Sequence, residues 1–474
     1  MRFPLLAKMA AIGLVMLLLM GVLTRIDWLV SERRMRQGEA MRSVSQSLAS
    51  AQTLLGPLLQ RQCSEEWDVQ EGEGNERRSV TRKREFTLTS APQSLSVQSR
   101  AGAEARYRGL FKVNGYAGTT EMSARWTQLQ ALQPKAENKG GRLQCAAATV
   151  LLALSDVRGI RAARVLVDGA PAEVRPGTGH GTYTRGFNAA LSDERSNQKD
   201  QALEIKVTVD LLGTARLSLV PAADEVRWTV QSDWPHPSFG GRFLPATREV
   251  TAQGFSASWT VSSLGSSAAL DVASKAQALC EVIDMAAPGG DEGSTRVRGN
   301  PGNCVDTMDV SFIDPVNPYS LTDRATKYAM LFIVLTFAAV ALTEVMARRR
   351  VHPIQYALVG LALALFYLLL ISLSEHIAFE HAYTAASAAC VALLGYYARH
   401  MLGSWRAGRL FGIGIALLYG LLWTLLRMEQ WSLAIGAVML FAVLAVVMLL
   451  TRRLDWYALL AQMPSAPRRA EAAA

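Results

Sequence analysis

Glu375, His376, Glu380 and His381 are the densest group of chemically active side chains in the sequence. Imidazole and carboxylate together can bind a metal ion or relay a proton, and His376 and Glu380, four residues apart, would share a face if one helix carried both. The same residues also read as polar helix ends among lipid headgroups. That plainer account is preferred, because such positions need not enter hydrocarbon. Glu344 poses the question more sharply: a carboxylate in an apolar run is a functional candidate by default, but Arg348 stands one helical turn on and would neutralise it. Pairing is the simpler expectation. No Walker phosphate loop, His-Glu-x-x-His helix, nucleophile elbow or paired Cys-x-x-Cys spacing occurs. No catalytic residue, cofactor or metal-ligand set is therefore assigned.

Four of the five cysteines, Cys63, Cys145, Cys280 and Cys304, precede the C-terminal apolar runs, and Cys390 falls inside one. An oxidising compartment would permit the four to bridge. Three pairings are open to them. The local pair Cys280 with Cys304 is preferred, which leaves Cys63 with Cys145, and buried reduced thiols are the alternative.

The elements that must hold these residues follow from the distribution of apolar side chains. Half of the 474 residues are hydrophobic, concentrated in the first 30 positions and after Tyr328. A polar middle long enough to bury its own core lies between. The formal charge of +9 comes with no nucleic-acid-binding signature, and its basic residues flank apolar runs, which points to a lipid bilayer and not to nucleic acid. A spanning helix needs roughly 20 apolar residues at about 1.5 Å of rise each. Five runs reach that length: Tyr328 to Met346, Ile354 to Leu373, Ile377 to Tyr397, Leu410 to Leu426 and Trp431 to Leu450. A shorter first run, Met9 to Leu23, spans if Lys8 and Arg25 snorkel. It lacks a small-residue cleavage site and is expected to stay as an anchor.

Basic residues in short connections mark the cytoplasmic side. Arg348, Arg349 and Arg350, then Arg399, Arg406 and Arg409, then Arg452, Arg453, Arg468 and Arg469 alternate with turns that hold only Arg427. The expectation is six spans, both termini inside and one large domain outside, arranged as an anchor over 1–30, an outer domain over 31–327, a five-helix region over 328–450 and a tail over 451–474.

In the outer domain, Ser31 to Leu55 reads as a helical stalk closed by Gly56-Pro57, because proline cannot donate to a continuing helix. Beyond it the period becomes two. Leu203, Ile205, Val207, Val209 and Leu211 alternate with polar residues, as do Val226, Trp228 and Val230, and Phe255, Ala257, Trp259 and Val261. Phe86 with Leu88, Phe111 with Val113 and Val165 with Val167 extend the pattern. The fold class expected is a helical membrane region with a mostly antiparallel β domain inserted after its first span. Asp68 to Arg84, His180 to Gln201 and Pro288 to Gly302 read as exposed loops.

Several motifs in a fixed order carry a family resemblance. Trp234-Pro235-His236-Pro237-Ser238-Phe239 is followed by Gly241, Phe243-Leu244-Pro245, Arg248-Glu249 and Gly254-Phe255. Tyr319 with Leu321-Thr322-Asp323-Arg324-Ala325-Thr326-Lys327-Tyr328 leads into Leu335-Thr336-Phe337 and Glu344. His352-Pro353, Gln355-Tyr356, Val359-Gly360-Leu361, Phe366-Tyr367, Leu373-Ser374-Glu375-His376 and Asp455-Trp456-Tyr457 continue the series, and Gly56-Pro57-Leu58 precedes it. Together they resemble the CreD family of inner-membrane proteins linked to cell-envelope integrity. The resemblance implies a bacterial inner-membrane location and an association with two-component regulation and envelope stress, without naming a reaction.

Trp234, Pro235, His236, Pro237, Phe239, Asp323, Arg324, Lys327, Glu344, Glu375 and His376 are the motif residues taken as candidates, each with a structural explanation beside the functional one. The prolines restrict the chain around His236, the aromatic rings suit a core, and Asp323, Arg324 and Lys327 suit an anchoring junction. Three functions are weighed. A non-enzymatic protein would contact an envelope protein or polymer through its outer domain. A transporter or flippase-like carrier would need a polar cavity among the five C-terminal spans. An envelope enzyme would need a cleft gathering His236 or His180 with carboxylates. The first is preferred.

Overall fold

The computed structural model describes residues 3–71, 78–198, 200–274, 279, 282–283, 296–297, 305–312, 318–347, 351–427 and 432–452. The chain divides into two compact units, one of Met1–Arg34 with Val316–Ala474 and one of Met35–Pro315. Helix α1 (Phe3–Ser47) is continuous through 45 residues and contributes to both.

In chain order the strands of the second unit are β1 (Gln52–Glu71), β2 (Arg78–Ser90), β3 (Ser94–Arg108), β4 (Phe111–Trp126), β5 (Arg142–Cys145), β6 (Thr149–Leu154), β7 (Ile160–Val167), β8 (Ala170–Ala172) and β9 (Val174–Pro176). After β10 (Gly186–Ala190) and the short α2 (Asp193–Asn197) come β11 (Leu203–Thr214), β12 (Arg216–Leu219), β13 (Glu225–Ser232), β14 (Pro237–Gly241), β15 (Thr247–Thr251) and β16 (Gly254–Ser262). Helix α3 (Ala268–Ser274), β17 (Val282–Ile283), β18 (Arg296–Val297) and β19 (Met308–Phe312) complete it. One sheet runs β14-β19-β12-β1-β6-β10-β9, with β2 and β5 also on β1. The other runs β15-β16-β13-β3-β4-β11-β7-β8. Both sheets are mixed, because β1 with β12 and β3 with β13 pair in parallel while their other ladders are antiparallel.

The period-two segments bury one face. Ile205, Val209, Val226, Trp228, Val230 and Trp259 are fully buried, in one core with Leu54, Val150, Leu152 and Val310 from the other sheet. Trp228 and Trp259 stack there with centroids 4.7 Å apart, their indole N–H groups donating to Ser99 Oγ at 3.1 Å and to the Phe243 carbonyl at 3.0 Å. A second cluster, including Leu55, Leu58, Leu151, Ala153 and Val272, covers the other face of β1 and β6. That double covering is why residues 150–154 of β6 are a continuous apolar run without alternation.

Three expectations are corrected. The helix ends at Ser47 and β1 begins at Gln52, so Gly56-Pro57 lies inside a strand and ends no stalk. The register shifts between Leu55 and Leu58, a bulge that accommodates a proline lacking its N–H. Gly56 has φ +114° there, and a Cβ on it would approach the Leu151 carbonyl to 2.9 Å. Most of Asp68 to Arg84 is hairpin, not loop. Glu66 faces Lys83, and the buried Glu65 faces Arg84 and takes the Glu137 and Asn138 amides at 3.0 and 2.8 Å. Opposite charges across the ladder support it. His180 to Gln201 likewise contains β10 and α2, and His180 is buried. Of Pro288 to Gly302, Arg296–Val297 pairs with β17 and the rest lies outside the described residues.

The first unit adds α4 (Pro318–Ala347), α5 (Pro353–Ser374), α6 (Phe379–Leu402), α7 (Trp405–Arg427) and α8 (Ser432–Thr451) to the start of α1. Among the described residues four stretches are long and apolar enough to cross a membrane: Ala7–Ser47, Pro318–Glu344, Pro353–Ser374 and Trp405–Arg427. The two other expected spans coincide with α6, which carries Glu380, His381, Thr384 and Ser387, and with α8, whose apolar stretch is Gly436–Leu449. Helices α6 and α7 meet closely at Gly408, where a Cβ would come within 2.8 Å of the Arg399 backbone. His352-Pro353 with Gln355 is a helix start. The His352 ring accepts from Ile354 N at 3.3 Å, Gln355 Oε1 accepts from His352 N at 3.1 Å, and Pro353 needs no partner at the first position.

Candidate functional site

The four-residue group that opens the sequence argument disperses in the structure. Helix α5 ends at Ser374 and α6 starts at Phe379, so Glu375 and His376 lie in the turn between them and His376 does not share a helix face with Glu380. Glu375 pairs with Arg33 of α1 at 3.4 Å. His376 Nδ1 lies 3.2 Å from the Ser372 carbonyl, Glu380 forms an ion pair with Arg427 of α7, and the exposed His381 lies in the first turn of α6. Among the described residues no group of three His, Cys, Asp or Glu side chains is placed to hold a metal ion.

Glu344 has a different partner from the one expected. Arg348 lies outside the described residues, and the carboxylate forms an ion pair with Lys8, 336 residues away on α1. Its two oxygens also accept from Val351 N at 3.2 Å and from the Tyr356 hydroxyl at 3.0 Å. Lys8, Glu344 and Tyr356 thus tie α1, α4 and α5 together. Asp323 does the same further along, with Arg34 Nη1 at 3.0 Å and Lys327 Nζ at 3.1 Å, and Thr326 adds a hydroxyl to Asp27 at 3.3 Å. Arg324 is half-buried on the same turn of α4. Sequence reasoning had no means of matching Lys8, Arg33 and Arg34 to these acids, because each pair joins distant segments of the chain.

A further polar group in this unit was not foreseen. Tyr419 donates to Cys390 Sγ at 3.1 Å, the thiol lies 3.6 Å from the Ala362 carbonyl, and Tyr383 donates to the Tyr419 carbonyl at 2.6 Å, with Phe366 packed against both tyrosine rings. These bonds satisfy buried polar atoms and link α5, α6 and α7. The concavity along α7 lined by Ile413, Ala416, Leu417, Gly420, Leu421 and Thr424 is apolar, not the polar cavity a carrier would need.

In the β unit the candidate motif forms a corner. Trp234 is half-buried, its indole donates to the His236 carbonyl at 2.9 Å, and Lys112 lies over its ring at 5.6 Å. Pro235 precedes the exposed His236, and Pro237 opens β14 opposite Phe312. Phe239 packs edge-on to Phe255 and Trp259, both at 5.7 Å. The prolines and rings therefore build the corner and the core beneath it. His180 is elsewhere: its Nδ1 accepts from the Thr182 and Tyr183 amides at 3.1 and 3.2 Å, and its ring stacks on Tyr183. Burial, with Asp271 close by, pushes the Tyr183 phenol up to about 12. The structure places His180 and His236 with different partners, so the cleft an enzyme reading requires is not assembled from them.

Cys63 and Cys145 are bridged, directly opposite each other on β1 and β5. Cys280 and Cys304 lie outside the described residues. Beside the bridge, Arg61 is buried among acceptors: its Nε donates to the Ala146 carbonyl at 3.0 Å and its Nη2 to Asn197 Oδ1 at 2.7 Å. Burial holds its pKa below the usual arginine value, against the opposing pull of Asp193.

Where the first helix gives way to the sheet, Asp156 is the organising residue. It is 5% exposed and accepts from Ser50 N at 2.9 Å, Ser50 Oγ at 3.0 Å and Arg158 N, Nε and Nη2 at 3.1, 2.9 and 2.6 Å. Burial raises its pKa, but the Arg158 and Ser50 hydrogen bonds outweigh that and hold the carboxyl well below the ordinary carboxylate range. Arg158 also reaches the Ser45 and Gln46 carbonyls, and Thr214 donates to the Ala49 carbonyl at 2.9 Å.

A family described as "CreD: Inner membrane protein CreD" matches residues 4–457. Among curated proteins, the inner membrane protein CreD of Escherichia coli (strain K12) is 33% identical over 464 residues, which is 97% of this chain and 95% of that protein.

Proposed function

The chain belongs to the CreD family of inner membrane proteins, and from that premise we propose that it supports the cell envelope non-enzymatically, through an outer β domain that contacts an envelope protein or an envelope polymer. The observation that carries this reading is how the charged side chains of the helical unit are used. Lys8 with Glu344, Arg33 with Glu375, Arg34 with Asp323 and Arg427 with Glu380 satisfy one another between helices. Groups committed to fastening helices are poor material for moving an ion or a proton. The helices then serve to hold and orient the domain, and the domain supplies the surface that works.

The accompanying topology has α6 and α8 crossing the membrane with the other four, both termini cytoplasmic, and residues 31–327 in the periplasm. The pairing of Cys63 with Cys145 suits an oxidising compartment. Reporter fusions test the arrangement: a fusion after Arg350 or at the C-terminus should be cytoplasmic, and one near Gly186 exported. Deletion of the protein should alter sensitivity to detergents or wall-active agents. An exported C-terminal fusion would overturn the six-span topology, and a deletion strain unchanged under every envelope challenge would overturn the function.

A further inference from the structure

The β3–β4 hairpin outruns its neighbours. The ladder between β11 and β4 stops at Thr214 opposite Gly115, and the ladder between β13 and β3 stops at Ser232 opposite Ala101. Pairing of β3 with β4 continues to Arg108 opposite Phe111. At ~3.3 Å per residue the ribbon overhangs the sheet by about 15 Å. Its base is braced by the family motif: Asp233 accepts from Ala103 N at 2.7 Å, and Lys112 lies over the Trp234 ring.

The overhang leaves the domain at the end where the chain enters and departs. Thr214 N donates to the Ser50 carbonyl at 3.3 Å, Ser45 and Thr214 hydroxyls are 3.1 Å apart, and Asn114 Nδ2 donates to the Phe312 carbonyl at 3.2 Å. The chain before Ser45 belongs to α1, and six residues after Phe312 it enters α4, both apolar enough to cross a membrane.

The tip has the composition of a membrane-surface element. Tyr107 is 69% and Leu110 57% exposed, on a ribbon whose residues 103–114 carry Arg106, Arg108 and Lys112 against one acid, Glu104. Arg106 and Glu104 pair at 2.5 Å, which leaves a basic excess around the apolar tip. Among the described residues no strand pairs with the ribbon beyond Gly115 and Ala101, so the sheet does not cover these side chains. Aromatic and aliphatic groups ringed by arginine and lysine match an interface of acyl chains and phosphate headgroups.

We propose that the tip of the β3–β4 ribbon docks onto the surface of an anionic phospholipid bilayer, Tyr107 and Leu110 entering the interface while Arg106 and Arg108 meet headgroup phosphates. Covalent attachment to membrane-crossing helices keeps such a surface at high effective concentration, so weak individual contacts suffice. The inference rests on the outer-domain reading above, which the Gly186 reporter tests separately.

The test places the photocrosslinker benzoylphenylalanine at Leu110 of the full chain, reconstituted in liposomes of phosphatidylglycerol with phosphatidylcholine. Leu264 is the control, 99% exposed and following β16 where Ser262 pairs with Glu225, at the far end of the sheet. Phospholipid adducts are expected at Leu110 and not at Leu264. Each basic residue near an anionic surface is worth roughly fivefold in affinity. Arg106→Gln and Arg108→Gln together should therefore weaken docking roughly 25-fold, with adducts at Leu110 falling to the control level. Phosphatidylcholine alone should lower the yield with the unmutated tip, which keeps the proposal falsifiable if the double variant misfolds. Equal adduct yields at Leu110 and Leu264, protein adducts in place of lipid at Leu110, or a yield indifferent to phosphatidylglycerol would each overturn it.

Discussion

Replacing Asp156 by alanine should loosen the joint between the first helix and the β domain. The carboxylate holds five hydrogen bonds from Ser50 and Arg158, and Arg158 in turn grips the last turn of α1. Breaking a buried ion pair costs about 3–5 kcal/mol when the remaining charge is stranded. Arg158 is 50% exposed and can rehydrate, so the lower end applies, about 3 kcal/mol. That corresponds to roughly a 100-fold rise in local opening. Hydrogen exchange of the full chain in lipid nanodiscs reads it at the amides of Ser50 to Leu54. The pH dependence carries a sign: the folded-state pKa of Asp156 is depressed, so its stabilisation is present above the unfolded value near ~4 and is lost as pH falls through the folded value. Wild type should therefore approach the alanine variant only in strong acid. A rise in exchange smaller than about threefold at neutral pH, under ~0.7 kcal/mol, would refute the reasoning.

Removing the bridge with Cys63→Ser and Cys145→Ser frees a loop of 82 residues, for which chain entropy sets a loss of ~4.5 kcal/mol as an upper figure; chemical denaturation of the full chain followed by tryptophan fluorescence measures it, and peptide mapping without reductant should find the two cysteines linked. Lys8→Met and Glu344→Gln should each lower thermal stability in detergent, and their double-mutant cycle should show a coupling of about 1 kcal/mol, as interhelical polar pairs do; additive effects would dissolve the proposed fastening. Gly408→Leu should cost about 1–3 kcal/mol by forcing α6 from α7, whereas Gly414→Leu, with nothing within 4 Å of its Cβ position, should be nearly neutral in the same melt.

Period and hydropathy were enough to recover much of the architecture. The alternation at Leu203 to Leu211 became β11 with its apolar face buried, and the run at Ile354 to Leu373 became α5. What failed has physical causes. The charges between Asp68 and Arg84 suggested a solvated loop, whereas Lys83 and Arg84 face Glu66 and Glu65 across paired strands, an arrangement visible only once register is known. Gly56-Pro57 signalled a break, and a bulge absorbed it inside a strand. Of the candidate residues, Phe239 packs edge-on to Trp259, and the Trp234 indole donates to the His236 carbonyl. The partners of Glu344 and Glu375 could not be read, because Lys8 and Arg33 meet them only through helix packing. Asp156 carries no signal in the sequence, for a lone acid before Val157 and Arg158 has no pattern until Ser50 is brought beside it.

The central claim is that the charged residues of the helical unit fasten helices and the outer domain does the work. The most direct measurement is complementation of a deletion strain under detergent or wall-active challenge by chains carrying Glu375→Gln, His376→Ala or Glu380→Gln, with insertion and abundance measured in parallel. The account predicts that each variant, inserted at the normal level, restores resistance, because a fastening residue tolerates neutral replacement so long as the fold holds. Loss of complementation by any of the three while it remains folded and inserted would contradict it, and would return these residues to the metal or transport chemistry their types first suggest.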